Sequence, residues 1–308
     1  MTLKIFSMFS GIGGFELGIQ NSTLKNRHHT NPELVGYSEI DKYAIQIFER
    51  QISKGAIKNY GDATSIVGTE LPDFQLLVGG FPCQAFSIAG KRKGFGDTRG
   101  TLFFDIARIL HDKRPRYLVL ENVRGLLSHD GGETFAVILG VLSDLGYAVE
   151  WQILNSKDYG VPQNRQRIFI VGYFGGFPRR ILFSNEGAGT KSDTDLTLQK
   201  EGCRVLKELT QGKSQGERVY DPSGLATTLA PQAGGLGHKT GLYQVEGHRI
   251  RRLTPVECER LQGFPDGWTE GLSDTQRYKT LGNAVTTNVI TALFNALAET
   301  IALEEEIE

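Results

Sequence analysis

The sequence predicts an α/β protein with a doubly wound, mostly parallel sheet and a smaller, irregular strand-and-loop domain. Apolar runs of strand length recur in the first half of the chain, and each leads into a polar or glycine-rich turn, as expected for buried parallel strands. These runs are 3–8, 34–38, 74–78 and 115–120. From 172 to about 247, glycine, serine and threonine dominate and helical periodicity disappears, which indicates loops and short strands.

The C-terminal part returns to the periodicity of helices. Thr254, Pro255 and Glu257 have the spacing of an N-cap, a first helical position and a capping box. Apolar residues every four positions from Val285 to Ile301 predict a last helix that closes the larger domain. At 308 residues the chain has room for one large domain and a smaller one.

Composition limits the classes of function. The formal net charge is −1, so any nucleic-acid surface has to be local, and basic residues do gather within 91–99, 165–180 and 239–252. Taken singly, such clusters are more often a solvated face. The three cysteines lie far apart and the histidines have no metal-binding spacing, so we expect no disulfide and no metal. The first 19 residues are too polar for a signal peptide or a membrane span, which makes a cytoplasmic protein the expectation.

The segment 79–87, Gly-Gly-Phe-Pro-Cys-Gln-Ala-Phe-Ser, is the centre of the sequence argument. A lone cysteine is usually a small buried hydrophobe, but Cys83 follows a strand and a Gly/Pro-shaped turn, which favours an exposed nucleophile. The basic, glycine-punctuated stretch 87–99 that follows predicts a lid with glycine hinges.

A glycine-rich turn, 9–18, follows the first strand, and acids follow later strands at Glu39 and Asp62. Glu16 occupies the third position of the dinucleotide fingerprint, so a ligand without phosphates is favoured over a pyrophosphate. A turn without a ligand, and an Asp62 that only caps a helix, are the alternatives.

Two further groups carry candidate chemistry. Glu121 directly follows the run 115–120 and is either a reactive carboxyl or, with its neighbour Asn122, part of a helix cap. Gln163, Arg165 and Arg167 alternate before an apolar strand, which puts them on one side, suited to gripping an anion or a base carbonyl.

In their order along the chain, these motifs resemble those of the cytosine-C5 DNA methyltransferases of bacterial modification systems. The resemblance extends from Phe9 to Val285 and rests on Pro82-Cys83-Gln84, Glu121-Asn122-Val123, Gln163-x-Arg165-x-Arg167 and Thr254-Pro255-x-Glu257. It implies a Rossmann-like fold and a covalent mechanism. Cys83 would add to C6 of cytosine, Glu121 would supply a proton or hydrogen bond at N3, and Arg165 would activate the thiol.

The resemblance also implies S-adenosyl-L-methionine as the cofactor. Phe9 would pack on the adenine, Glu39 would hold the ribose and Asp62 the adenine amino group. The full set of expected cofactor residues is Phe9, Gly11, Gly13, Gly14, Glu39, Ile40, Asp62 and Asn283.

Double-stranded DNA is the implied substrate, with the target cytosine swung out of the helix. We expect 1–172 with 270–308 to be the catalytic and cofactor-binding domain and 173–269 the target-recognition domain, acting as a monomer on DNA. A separate cognate restriction endonuclease for the same site is a possible partner. The expected DNA-binding residues are Gln84, Ser87, Lys91, Arg167, Gln215, Arg218 and Thr228. The last three resemble recognition loops of GCGC-specific members, which favours a short, palindromic, GC-rich site.

Three other functions compete with this interpretation. A tRNA cytosine-C5 methyltransferase shares the catalytic residues, but that group usually has Pro-Pro-Cys-Gln, where this chain has Phe81 before Pro82. A catalytically silent DNA-binding protein is disfavoured by the intact Cys83, Glu121 and Arg165. A nucleotide-dependent oxidoreductase is disfavoured by the absent dinucleotide fingerprint.

Overall fold

The computed structural model describes residues 2–25, 31–82, 102–176, 205–208, 218–231, 240–245 and 249–305. The expected nucleophile Cys83 lies outside the described residues. So do four of the expected DNA contacts, namely Gln84, Ser87, Lys91 and Gln215.

A six-stranded sheet forms the centre of the fold. Its strands are β1 (Thr2–Met8), β2 (Asn31–Ser38), β3 (Leu76–Gly80), β4 (Tyr117–Val123), β5 (Tyr147–Asn155) and β6 (Gln166–Phe174), in the order β2-β1-β3-β4-β6-β5. All strands run parallel except β6, which is antiparallel to both of its neighbours. The predicted doubly wound, mostly parallel sheet is confirmed.

Helices cover both faces of this sheet. They are α1 (Gly14–Gln20), α2 (Lys42–Phe48), α3 (Leu102–Lys113), α4 (Glu133–Asp144), α5 (Pro255–Leu261), α6 (Asp274–Asn283) and α7 (Thr287–Glu305). α1 and α7 share a core with Leu3 and Ile5 of β1, whereas α3 and α4 share a core with Phe6 and Met8 of the same strand. Because side chains alternate along β1, this one strand contributes residues to the cores on both faces of the sheet.

A second, smaller sheet comes from the glycine-rich region. Its strands are β7 (Val205–Glu208), β8 (Arg218–Tyr220), β9 (Leu242–Val245) and β10 (Arg249–Arg251), in the order β10-β9-β8-β7. Tyr220 and Tyr243 of this sheet share one core with Ile12, Leu17 and residues of α5. The smaller sheet is therefore packed against the part of the chain that carries the glycine-rich turn.

The predicted start of α5 is confirmed in detail. The backbone N–H of Glu257 donates to Thr254 Oγ1 at 3.3 Å, and the N–H of Thr254 donates to Glu257 Oε2 at 2.7 Å. Arg251 contacts both carboxylate oxygens of Glu257 at 2.8 Å. The Arg251 hydrogen bonds and those of Thr254 hold the pKa of Glu257 down to about 2, against the opposing effect of burial.

The last helix, α7, is held in the fold by a close contact with α1. The stretch Asp274–Ala302 has the length and hydropathy of a membrane span, but 67% of its most apolar window is buried in the fold. α7 instead crosses α1 at Gly18, where an added Cβ would lie 2.5 Å from Cβ of Ile290 and 2.9 Å from the carbonyl oxygen of Thr287. Only glycine allows the two backbones to approach this closely.

Gly18→Ala should therefore destabilise the protein by about 1–3 kcal/mol, because the extra methyl group overpacks the α1–α7 contact. Gly140→Ala is the matched control, since Gly140 is an exposed position of α4 where a Cβ would meet nothing within 4 Å. That change should be stabilising by up to about 1 kcal/mol. Urea unfolding of both variants measures the contrast, and equal stabilities would contradict the packing argument.

Candidate active site

Parallel strands bring the candidate residues to one edge of the large sheet. β1, β2, β3 and β4 all end at this edge, whereas the reversed strand β6 begins there. Residues that follow the first four strands and residues that precede β6 therefore meet. This explains how Glu121 and the Gln-x-Arg-x-Arg motif come together although the motif lies 42 to 46 positions further along the chain.

Glu121 and Arg167 form a buried ion pair at this edge. Nε of Arg167 lies 2.9 Å from Oε1 of Glu121, and the exposed fractions of the two side chains are 15% and 10%. Burial raises the pKa of Glu121 above its usual value, with Arg167 and Arg165 opposing the rise. The carboxyl is thus suited to holding a proton that an exposed glutamate would lose.

The end of β3 is fixed against Glu121. Gly80 pairs with Glu121 across the two strands, and a Cβ on Gly80 would lie 3.0 Å from Oε2 of Glu121. Nδ2 of Asn122 donates to the carbonyl oxygen of Phe81 at 2.9 Å. The backbone is therefore anchored two residues before Cys83, beside the Glu121 carboxyl.

Arg165 lies in a different environment from Arg167. It is 1% exposed, and its guanidinium donates to the carbonyl oxygens of Leu229, Gly282 and Ala284 at 2.8–3.1 Å. These bonds occupy both Nη atoms, whereas Nε is buried without a hydrogen-bond partner in the part of the chain that the structure describes. Arg165 thus joins the smaller sheet's loop to the end of α6 and the turn that follows it, and Arg167 is the arginine that contacts Glu121.

Asn283, an expected cofactor residue, lies exposed between two of those carbonyl groups. Gln262 supports the same turn, since its Nε2 donates to the carbonyl oxygens of Leu281 at 2.9 Å and of Ala284 at 3.3 Å. An added Cβ on Gly282 would lie 2.7 Å from the backbone nitrogen of Pro231. The position of Asn283 is therefore fixed by backbone contacts on both sides.

The backbone of the glycine-rich turn adopts φ angles and close contacts that residues with a side chain disfavour. Phe9, Gly11 and Gly13 have φ angles of 53°, 57° and 88°. A Cβ on Gly13 would lie 2.7 Å from Ile52, and one on Gly14 would lie 2.7 Å from Val285. The turn is strained at Phe9, and positive φ in a residue other than glycine is often found at functional sites.

Glu39 joins the end of β2 to this turn. Its Oε2 accepts the N–H of Gly11, and its Oε1 accepts the N–H groups of Ile40 and Asp41, all at 2.8 Å. Ile40 is 71% exposed beside it. Asp62 is also exposed, and its Oδ1 caps a short 3₁₀ helix through the N–H of Thr64. The capping role predicted as the alternative for Asp62 is present, and it leaves the carboxylate in contact with solvent.

Buried polar groups lie next to the turn. Glu16 is 5% exposed, and neither of its carboxylate oxygens has a hydrogen-bond partner among the described residues. The same holds for the hydroxyl groups of Ser7 and Ser10. Burial raises the pKa of Glu16 to about 7, while the Ser7 hydroxyl and the residue's own N–H lower it without being aligned for a hydrogen bond.

Two expected recognition residues are described. Arg218 is half-buried at the start of β8, and Oγ1 of Thr228 donates to the carbonyl oxygen of Asn164 at 2.7 Å. Thr228 therefore ties the smaller sheet's loop to the Gln-x-Arg-x-Arg motif. Within the described ranges, no group of three His, Cys, Asp or Glu side chains is arranged to hold a metal ion.

A family profile described as C-5 cytosine-specific DNA methylase matches residues 3–215 and 184–299. The chain belongs to this family. The methylase is 40% identical over 304 residues to the type II methyltransferase M.NgoBI of Neisseria gonorrhoeae, with 94% of this chain and 91% of that protein covered. It is 36% identical over 312 residues to M.HhaI of Haemophilus parahaemolyticus, with 94% and 92% covered.

The fold agrees with the family. The crystal structure of the Dnmt2 methyltransferase of S. pombe matches with a TM-score of 0.74 at 20% identity, covering 97% of this methylase and 99% of that chain. Family and relatives make the protein a DNA (cytosine-5-)-methyltransferase. The sequence-based family assignment is confirmed, and the oxidoreductase and silent-binder interpretations are set aside.

The raised pKa of Glu16 predicts a pH dependence of stability. An acid whose pKa is about 7 when folded and near its ordinary value of 4.5 when unfolded binds more protons in the folded state, so the methylase should lose stability as pH rises between these values. Glu16→Gln should abolish this loss, which amounts to at most about 3 kcal/mol.

Urea unfolding from pH 4.5 to 8 tests the prediction as a difference between variant and wild type. Glu33→Gln, at an exposed position of β2, is the control and should follow the wild type. If the difference between the Glu16→Gln variant and wild type stayed constant with pH, Glu16 would not titrate in this range.

Proposed function

We propose that the methylase transfers a methyl group from S-adenosyl-L-methionine to C5 of a flipped-out cytosine in duplex DNA through a covalent Cys83–C6 adduct. The observation that supports this most is the buried Glu121–Arg167 pair beside Gly80, three residues before Cys83. It combines a carboxyl of raised pKa, a cation and the strand end that leads to the thiol.

The chemistry follows from the groups assembled at this edge. The C5 carbon of cytosine is a weak nucleophile, and addition of the Cys83 thiolate to C6 makes it an enamine carbon. Glu121 in its protonated form donates to N3 as negative charge develops in the ring. Arg167 orients the carboxyl and adds positive charge next to the same part of the base. After transfer, a base removes the C5 proton and the thiolate leaves; a water molecule is a candidate for that base.

This proposal changes the role of one predicted residue. Arg165 was expected to be the cation that activates Cys83, but its two Nη atoms are bonded to backbone carbonyl groups. We assign it to holding the site together, with its charge acting at longer range. Arg167, expected among the DNA contacts, is the arginine we place on the reacting base.

S-adenosyl-L-methionine supplies an electrophilic methyl group when bound, and the residues around the glycine turn fit it. Glu39 and Asp62 offer carboxylates for hydroxyl and amino groups, as a cofactor without phosphates requires. Phe9 and the exposed Ile40 offer apolar surface for a ring.

For the substrate, we propose a short, palindromic, GC-rich DNA site read by the smaller sheet and its loops. Residues 1–172 and 270–308 would be the catalytic domain and 173–269 the target-recognition domain. The relatives' designation as type II methyltransferases supports a cognate restriction endonuclease that acts separately on the same site. The protein would work as a monomer on DNA.

Cys83→Ser should abolish methylation while leaving DNA and cofactor binding intact, because a hydroxyl group is a far weaker conjugate nucleophile than a thiolate at neutral pH. Cys203→Ser is the control and should remain active. DNA carrying 5-fluorocytosine, from which no C5 proton can be removed, should be trapped covalently by wild type, and mass spectrometry should place the adduct on Cys83. Methylation by the Cys83→Ser variant at near wild-type rate would end the covalent proposal.

Arg167→Gln should slow single-turnover methylation by about 10- to 100-fold, with little change in folding, because the base loses a neighbouring positive charge and Glu121 loses the contact that orients it. Arg165→Lys should instead lower the free energy of unfolding by about 3 kcal/mol, because an ammonium cannot reproduce the fork of hydrogen bonds. Rapid-quench kinetics and urea unfolding on both variants separate the two roles. A folded Arg167→Gln variant with the wild-type rate would contradict this role and leave Arg167 as a DNA contact.

A further inference from the structure

Trp268 contacts the centre of the glycine-rich turn from a distant part of the chain. Its indole Nε1 donates to the carbonyl oxygen of Ile12 at 2.9 Å. Ile12 lies between Gly11 and Gly13, and both partners are buried, with exposed fractions of 7% for Trp268 and 1% for Ile12. The bond therefore fixes the carbonyl group of the residue that lies between the two glycines of positive φ.

The loop that carries Trp268 is itself held by a buried carboxylate. Glu259 is fully buried, and its oxygens accept the backbone N–H groups of Gly267 at 2.7 Å and Thr269 at 2.8 Å, together with the hydroxyl group of Thr269. Arg277 of α6 completes the arrangement with an ion pair to Glu259 at 3.0 Å. Trp268 is thus presented by a loop bonded on both sides of it.

The backbone of Trp268 also contacts the segment that follows Glu39, namely α2 and the helical turn that continues it. Arg50 and Gln51, in the helical turn Glu49–Ser53 that continues α2, donate to the Trp268 carbonyl oxygen at 2.7 and 2.9 Å. α2 begins at the cap Asp41, two residues after Glu39, and Asp41 is paired with Lys279 of α6 at 2.6 Å. One residue therefore links the glycine turn to the helix that follows the ribose-binding acid.

We infer that Trp268 is a positioning residue for the cofactor: it holds the glycine turn and α2 at the separation that S-adenosyl-L-methionine requires. The inference rests on the proposed cofactor site. Trp268 also packs on Phe264, with ring centroids 5.4 Å apart, so the packing has to be separated from the indole hydrogen bond. Trp268→Phe keeps an aromatic ring at this position and removes the N–H group.

The experiment uses the full chain of wild type, Trp268→Phe and Trp151→Phe, the last altering a tryptophan that is 45% exposed on the edge strand β5. Calorimetric titration with S-adenosyl-L-methionine should give about tenfold weaker affinity for Trp268→Phe, the change expected from one lost buried hydrogen bond. Its KM for the cofactor should rise similarly, with kcat at saturation within about twofold. Amide exchange at residues 10–14 should quicken. Trp151→Phe should match wild type throughout.

Arg50→Ala serves as a second variant, because Arg50 is exposed and its loss should not prevent folding. It should weaken cofactor binding in the same direction, by about threefold, since it removes the charge-assisted bonds that Arg50 donates to the carbonyl oxygens of Trp268 and Glu270 in this loop. Wild-type cofactor affinity in both folded variants would overturn the inference and leave Trp268 as core packing. Wild-type affinity in Glu39→Ala, or no binding by the wild type, would instead refute the proposed cofactor site.

Discussion

The buried guanidinium of Arg165 is the constraint on which the rest of the molecule depends. A charge taken out of water is costly unless hydrogen bonds surround it, and here the carbonyl groups come from the smaller sheet's loop and from the end of α6 with the turn that follows it. Both segments must be in place before the cost is offset. The larger sheet, the loop of the smaller sheet and the C-terminal helices therefore depend on one another for their stability.

The fold followed largely from local sequence patterns. Apolar runs that end in polar turns predicted strands β1 to β4, and Thr254, Pro255 and Glu257 predicted the start of α5. Glu39 was expected only as a cofactor residue, and its contact with the glycine turn arises because the ends of parallel strands share an edge. Such predictions succeed since each depends on residues close in the chain or on a general rule of sheet geometry.

The remaining features depend on contacts between distant residues. The alternation of Arg165 and Arg167 placed both on one side, and only the reversed direction of β6 decides that Arg167 reaches Glu121. α6 has few apolar positions, so periodicity did not reveal it. Nothing near Trp268 in the sequence points to Ile12, 256 residues away. Pairings of this kind arise from the packing of whole elements.

The two tryptophans of this chain differ in a way that makes one of them an optical probe. The exposed Trp151 lies on an edge strand, whereas the indole of Trp268 is enclosed and its N–H group ends on the glycine turn. Indole emission is sensitive to the polarity and motion around the ring. With Trp151 replaced by phenylalanine, the fluorescence of Trp268 would follow events at the turn in real time, without any added label.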